Sequence, residues 1–145
     1  MKCYVAGSTK DIHHVNYVQR AAIEAGHTIT FDWTGPDGVI RESWYGHEAQ
    51  GQEHSRKEVN AARCELFILV TPQHAGGVGC FVEFGIALGH GALCYVFPFN
   101  NRDSVFFYHK HVYIIKSKRH LTYALKVAHT RYNNLHPDKY PPVSA

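Results

Sequence analysis

A short apolar run, Leu66-Phe67-Ile68-Leu69-Val70, leads through Thr71-Pro72-Gln73-His74 to three closely spaced glycines, Gly76, Gly77 and Gly79. Five consecutive apolar residues read as a strand buried on both faces, which belongs inside a parallel sheet. Pro72 ends that strand, because proline has no amide to give to a ladder. The glycines form a loop that can turn sharply and let a ligand approach the backbone. From Cys80 onward, Phe81, Phe84, Ala87 and Leu88 recur at helical spacing and define one buried face. Few architectures accommodate strand, glycine loop and helix in that order, and an α/β sheet is the first of them. Glu83 is the carboxylate that this arrangement singles out. The spacing predicts it in or near the first helical turn, directed back toward the glycines. Free amides and the helix dipole there favour its ionised form. Such a carboxylate can stabilise or attack a cationic carbon, and the competing reading is an ordinary first-turn cap residue.

The rest of the chain keeps the alternation. Residues 2–7, 27–33, 92–97 and 112–115 read as further strands, and residues 12–25, 53–63 and 119–132 as helices. Gly26 is the expected C-cap of the first helix, and Thr9 or Asp11 its expected N-cap. Five strands alternating with helices predict a single-domain, flavodoxin-like, doubly wound parallel sheet in the order 2-1-3-4-5. Its ligand site is expected at the carboxyl ends of the first and third strands, where the Gly7-Ser8 loop meets the Gly76–Glu83 segment. The Gly7-Ser8 loop either receives a phosphate on its amides or is a plain polar connection, and it lacks the P-loop pattern. Asp32 and Trp33 end the second strand beside it and are candidates to touch substrate. Trp33, Trp44 and Tyr45 offer flat surfaces for stacking a base, or else cover the core. Residues 1–133 form the domain, and residues 134–145 a polar, proline-bearing tail.

Composition narrows the class. With 145 residues, a net charge of +3 and no run of membrane-spanning length, the chain is expected to bind neither nucleic acid polymers nor membranes. Cys3, Cys64, Cys80 and Cys94 include no C-x-x-C pair, so a reducing, cytoplasmic setting without disulfides is expected. The twelve histidines lack common zinc-site spacing, and no metal or cofactor is called for.

Gly79-Cys80-Phe81-Val82-Glu83-Phe84-Gly85-Ile86-Ala87-Leu88-Gly89 resembles the nucleophile segment of the nucleoside 2-deoxyribosyltransferase superfamily, in which glycine, three residues, catalytic glutamate, an apolar residue and glycine follow one another. That superfamily includes 2'-deoxynucleoside 5'-phosphate N-hydrolases and hydroxymethyl-CMP hydrolases. Tyr4-Val5-Ala6-Gly7-Ser8 is similar to its first strand, where a tyrosine lies close to the glutamate. The resemblance implies Glu83 as nucleophile, supported by Tyr4, with Gly7, Ser8, Gly77, Gly79 and Cys80 around a sugar or its 5'-phosphate. An aspartate that helps protonate the leaving base in the family has Glu58 as its nearest candidate here, and a solvated helical glutamate is the other reading. Cys80 replaces a residue that is often polar. Gly76 to Glu83 also resembles the motif of cytokinin-activating phosphoribohydrolases, with Ala75 and Cys80 for proline and threonine.

The resemblance further implies a small-molecule nucleoside or nucleotide as partner and a homodimer or higher homo-oligomer with sites completed by a neighbouring subunit. The aromatic-rich segment Asn100 to His109 is the candidate donor, and Asn101 within it is a candidate substrate-binding residue. Two other functions compete: a nucleotide-binding module without catalysis, and a TIR-like NAD glycohydrolase.

Overall fold

The computed structural model of the chain describes residues 1–74, 77–98 and 103–140. Strands β1 (Lys2–Ala6), β2 (Thr28–Ile29), β3 (Leu66–Val70), β4 (Leu93–Phe97) and β5 (Val112–Ile114) pair in parallel in the order β2-β1-β3-β4-β5. The helices are α1 (Ile12–Glu24), α2 (Glu48–Ala62), α3 (Val78–His90) and α4 (Lys118–Leu135). Short 3-10 turns cover Thr9–Asp11 and Val105–Tyr108. Helix α1 packs on α4 and α2 on α3, one pair for each face of the sheet. The chain runs outward from β1 to β2 and then crosses back to β3, so a cleft opens where β1 and β3 end.

The apolar runs do what their composition predicts. Every residue of β3 and β4 is buried, and so is all of β1 except Lys2. Each large side chain taken from water there contributes roughly 1.5–3 kcal/mol. Tyr4, Phe67, Phe84 and Phe107 form a chain of ring contacts through this layer, each 6.0 Å between centroids. All four cysteines are buried and none is in a disulfide. Burial pushes the Cys64 thiol up to about 12 and those of Cys3 and Cys94 higher still, so these three act as small hydrophobes. Among the described residues, no helix is long and apolar enough to cross a membrane.

Element ends differ from expectation for local reasons. Strand β2 pairs only over two residues instead of running from 27 to 33. It is an edge strand, and past Ile29 the chain peels away as the Thr30 hydroxyl donates to the Ala61 carbonyl at 3.0 Å. Trp33 then turns inward and its indole donates to the Val5 carbonyl at 2.9 Å. Gly38 lies so close beneath that a Cβ would stand 1.8 Å from the Trp33 carbonyl oxygen, which only glycine avoids. Helix α2 begins at Glu48, five residues before the expected start, and α4 continues to Leu135, beyond the expected tail boundary. Neither Thr9 nor Asp11 caps α1 with its side chain. Ser8 caps the preceding turn by accepting from the Lys10 amide at 3.2 Å, while buried Asp11 accepts from the Gln73 amide at 3.2 Å. Asp11 thereby ties the β1 loop to the β3 loop.

Candidate active site

A cavity of about 330 Å³ occupies the cleft at the ends of β1 and β3. Gly7, Ser8 and Lys10 form one wall, Gly77, Gly79, Cys80 and Glu83 another, and His54 with Glu58 from α2 a third. Val39, Ile40, Arg41 and Trp44 complete the lining. Gly77 adopts a φ of +70°, and a Cβ there would lie 2.9 Å from Pro72 Cγ and 3.3 Å from Ser8 Cβ. A left-handed turn wedged between two loops leaves room for glycine alone. Cys80 reinforces the turn by donating its thiol hydrogen to the Gly77 carbonyl at 2.9 Å.

Glu83 falls in the second turn of α3, because the helix starts at Val78 rather than near Cys80. The placement near the first turn holds, but the expected electrostatics do not. The free amides belong to the first turn, so they do not reach the carboxylate. Glu83 is 8% exposed, and burial, followed by repulsion from Glu58, pushes its pKa up to about 8 against the opposing influence of Tyr4. Tyr4 is fully buried, and burial and then Glu83 raise its hydroxyl well above the usual phenol range. The tyrosine hydroxyl is near enough to favour the Glu83 carboxylate, although the contact falls short of a well-formed hydrogen bond. Both Tyr4 Oη and Glu83 Oε2 are buried with no hydrogen-bond partner. Burying such groups unpaired costs about 1–3 kcal/mol each, so this pair is poised toward the cavity at the expense of stability.

Glu58 faces the same cavity with its own partner. Its carboxylate lies 3.1 Å from His54 Nε2, one helical turn earlier. Burial raises the Glu58 pKa, and the charge and hydrogen bond of His54 oppose that rise. His54 is itself clamped, stacked on Trp44 at 5.5 Å and edge-on to Phe31 at 5.9 Å. The cavity therefore holds two carboxyl groups of different character, one set against a buried tyrosine and one leaning on a histidine.

No protein-family model and no curated protein sequence matches the chain. Solved structures do. The CMP N-glycosidase BcmB of Clostridium botulinum is 13% identical, with a TM-score of 0.56 over 88% of this chain and 98% of that one. A 2-deoxyribosyltransferase of Bacillus psychrosaccharolyticus is 12% identical, with a TM-score of 0.61 over 84% of this chain and 90% of that one. The chain has their fold. At such identities the likeness speaks for the fold alone and leaves the site to be argued from its own residues.

Most of the residues singled out in the sequence meet in this cleft. Gly7, Ser8, Trp33, Gly77, Gly79, Cys80, Glu58 and Glu83 line the cavity, with Tyr4 buried in β1 against Glu83. Asp32 does not line it. Its carboxylate accepts from Gln19 Nε2 at 3.0 Å and from the Thr34 amide and hydroxyl. Burial pushes its pKa up, but those bonds outweigh it and hold the group below the usual carboxylate range. Its work is to shape the turn after β2. Tyr45 is 91% exposed and does not line the cavity. Asn101 and Gly76 lie outside the described residues. Sequence reasoning missed Lys10, Arg41 and His54 as cavity residues. His54 alone left a signal, since His54 and Glu58 stand four apart on a predicted helix. Among the described residues, no group of three or more His, Cys, Asp or Glu side chains could hold a metal ion.

Proposed function

We propose that the protein breaks the N-glycosidic bond of a nucleoside or nucleoside 5'-monophosphate, with Glu83 as the nucleophile. The observation that carries this reading is the buried Glu83 carboxyl, with one oxygen unpartnered, in the wall of a cavity at the sheet's switch point. A carboxyl held near 8 is a reluctant anion, and a carbon acquiring positive charge relieves it. Departure of a base from a sugar creates such a carbon at the anomeric position. Glu83 traps it as an ester while Glu58, whose raised pKa suits an acid, gives a proton to the departing base. Water resolves the ester in hydrolysis, and a second base resolves it in transfer. Ser8, Lys10 and Arg41 supply the hydroxyl and the two cations that a 5'-phosphate would meet. The fold shared with a CMP N-glycosidase and a 2-deoxyribosyltransferase supports the same reading.

The test is to incubate the protein with nucleosides, nucleoside monophosphates and NAD, with and without a second free base, and to follow base release by chromatography. Release from a monophosphate but not its nucleoside locates the phosphate role. No base from any substrate overturns the proposal.

Tyr4→Phe separates support of Glu83 from packing. The ring stays buried and only an unpartnered hydroxyl is lost, so the thermal midpoint should hold or rise slightly. Turnover should fall about tenfold, as expected for a group that orients the nucleophile. Unchanged turnover assigns Tyr4 to packing alone.

A second copy of the chain is the partner we assign to the outer face of α3. Val78 and Val82 are 76% and 63% exposed, and Phe106 and Tyr108 of the 3-10 turn are 61% and 68% exposed. An apolar cavity of about 510 Å³ lies between Phe81, Leu88 and Phe106. A helix apolar on every side is normally covered. Sedimentation at micromolar concentration should give a dimer or larger species, and Val82→Glu should split it. A wild-type monomer with full activity refutes the assignment.

A further inference from the structure

The proposed reaction leaves open where the proton for the departing base is kept, and His54 answers it. We propose that the clamped His54–Glu58 pair, rather than a lone carboxylic acid, is the proton store for the departing base, with His54 the positioning residue that acts through Glu58. This rests on the N-glycosidase reading above and deepens it.

Three observations converge on His54. Its Nε2 lies 3.1 Å from Glu58 Oε1, close enough for the pair to share one proton. Trp44 and Phe31 hold the ring from a face and an edge, so the imidazole does not swing away from Glu58. Both members of the pair line the cavity that contains Glu83, and the His54 side chain is only 11% exposed. A histidine that merely decorated a polar helix would have no reason to be clamped on three sides.

The arrangement balances charge at each step. Before reaction, Glu83 is a carboxylate and the pair holds one proton, so these three groups carry one net negative charge. The C1'–N bond breaks and its electron pair goes to the base nitrogen, which takes a proton from Glu58. That proton is the one Glu58 shares with His54 Nε2, and a Glu83 oxygen forms the ester bond to C1'. Glu83 is now neutral and the pair carries the negative charge. In hydrolysis a water oxygen bonds to C1', the C1'–O bond to Glu83 breaks with its electrons returning to Glu83, and the water proton goes back to the pair. At no stage do two uncompensated carboxylates face one another in the buried cleft, which matters because Glu58 already opposes ionisation of Glu83.

The experiment compares wild type with His54→Gln on a nucleotide that the wild type cleaves and on its ring-N-methylated counterpart. The cationic base of the methylated substrate leaves without needing a proton. Glutamine keeps a hydrogen-bonding side chain beside Glu58 but stores no proton. On the ordinary substrate kcat should fall about a hundredfold with KM within threefold, the usual worth of a general acid. On the methylated substrate kcat should stay within about threefold of wild type. A variant within threefold of wild type on the ordinary substrate overturns the proposal, and so does equal loss on both substrates. Failure of the parent reading looks different, since there the wild type itself releases no base.

Discussion

Glu83→Gln should abolish turnover and at the same time make the protein more stable. The amide is nearly isosteric with the carboxyl, so packing in α3 is retained while the nucleophile is gone. A loss of roughly a thousandfold or more is expected for removing a covalent nucleophile. Stability moves the other way because of where the carboxyl titrates. Its pKa is about 8 in the folded chain, and an unfolded glutamate titrates near 4.5. A raised folded pKa gives stability that is fully present below the unfolded value and is lost as pH rises through the folded one. Between pH 4.5 and pH 8 the wild type therefore loses stability that the glutamine variant keeps. The gap is on the order of 3–5 kcal/mol at the upper end, or roughly ten degrees or more in thermal midpoint. Melting both proteins at pH 5 and pH 8.5 checks this, with near-equal midpoints at the lower value and the variant higher at the upper one. A variant within tenfold of wild-type activity would dismiss Glu83 as nucleophile. A variant no more stable at pH 8.5 would dismiss the strained carboxyl.

The contrast between Glu83 and Glu58 explains how far the sequence could be read. The position of Glu83 in the cavity wall was legible because apolar spacing fixes the helix face and the glycines fix the loop, whatever the rest of the chain does. Its ionisation was misjudged, because that depends on where α3 starts, and one helical turn separates a carboxylate bathed in amides from one buried against Tyr4. The strand order followed from alternation of elements, whereas β2 was overextended. Alternating Ile29, Phe31 and Trp33 report which side chains turn inward, and they still do, but an edge strand can keep that alternation after its ladder has ended. Asp32 looked like a substrate ligand only because strand ends at a sheet's carboxyl edge line such sites. Its bonds to Gln19 and Thr34 are contacts that spacing cannot reveal. Helix α2 was the least legible element. Its first turns carry no apolar period, and His54 and Glu58 look like an exposed pair until Trp44 and Phe31 are seen against the ring.

Two glycines only two residues apart should respond to alanine with opposite signs. At Gly77 the added methyl meets a φ of +70° and a contact of 2.9 Å with Pro72 Cγ. A left-handed alanine costs about 1–2 kcal/mol before any clash is counted. The nearby Ser8 Cβ, at 3.3 Å, means that relief comes by pushing the Ser8 loop off the start of α3. Gly77→Ala should thus lower the thermal midpoint by several degrees and cut kcat/KM at least tenfold, since the cavity wall moves with the loop. At Gly79 a Cβ would meet nothing within 4 Å, and the residue sits in the first turn of α3. Alanine is favoured over glycine in helices by up to about 1 kcal/mol, so Gly79→Ala should raise the midpoint by a few degrees. Its methyl lies in the cavity wall, so substrate affinity should weaken while kcat holds. Thermal melts and steady-state kinetics on the two variants decide the matter. If both alanines destabilise alike, the loop geometry around Ser8 and Gly77 is not what positions the site, and the constraint must come from the helix itself.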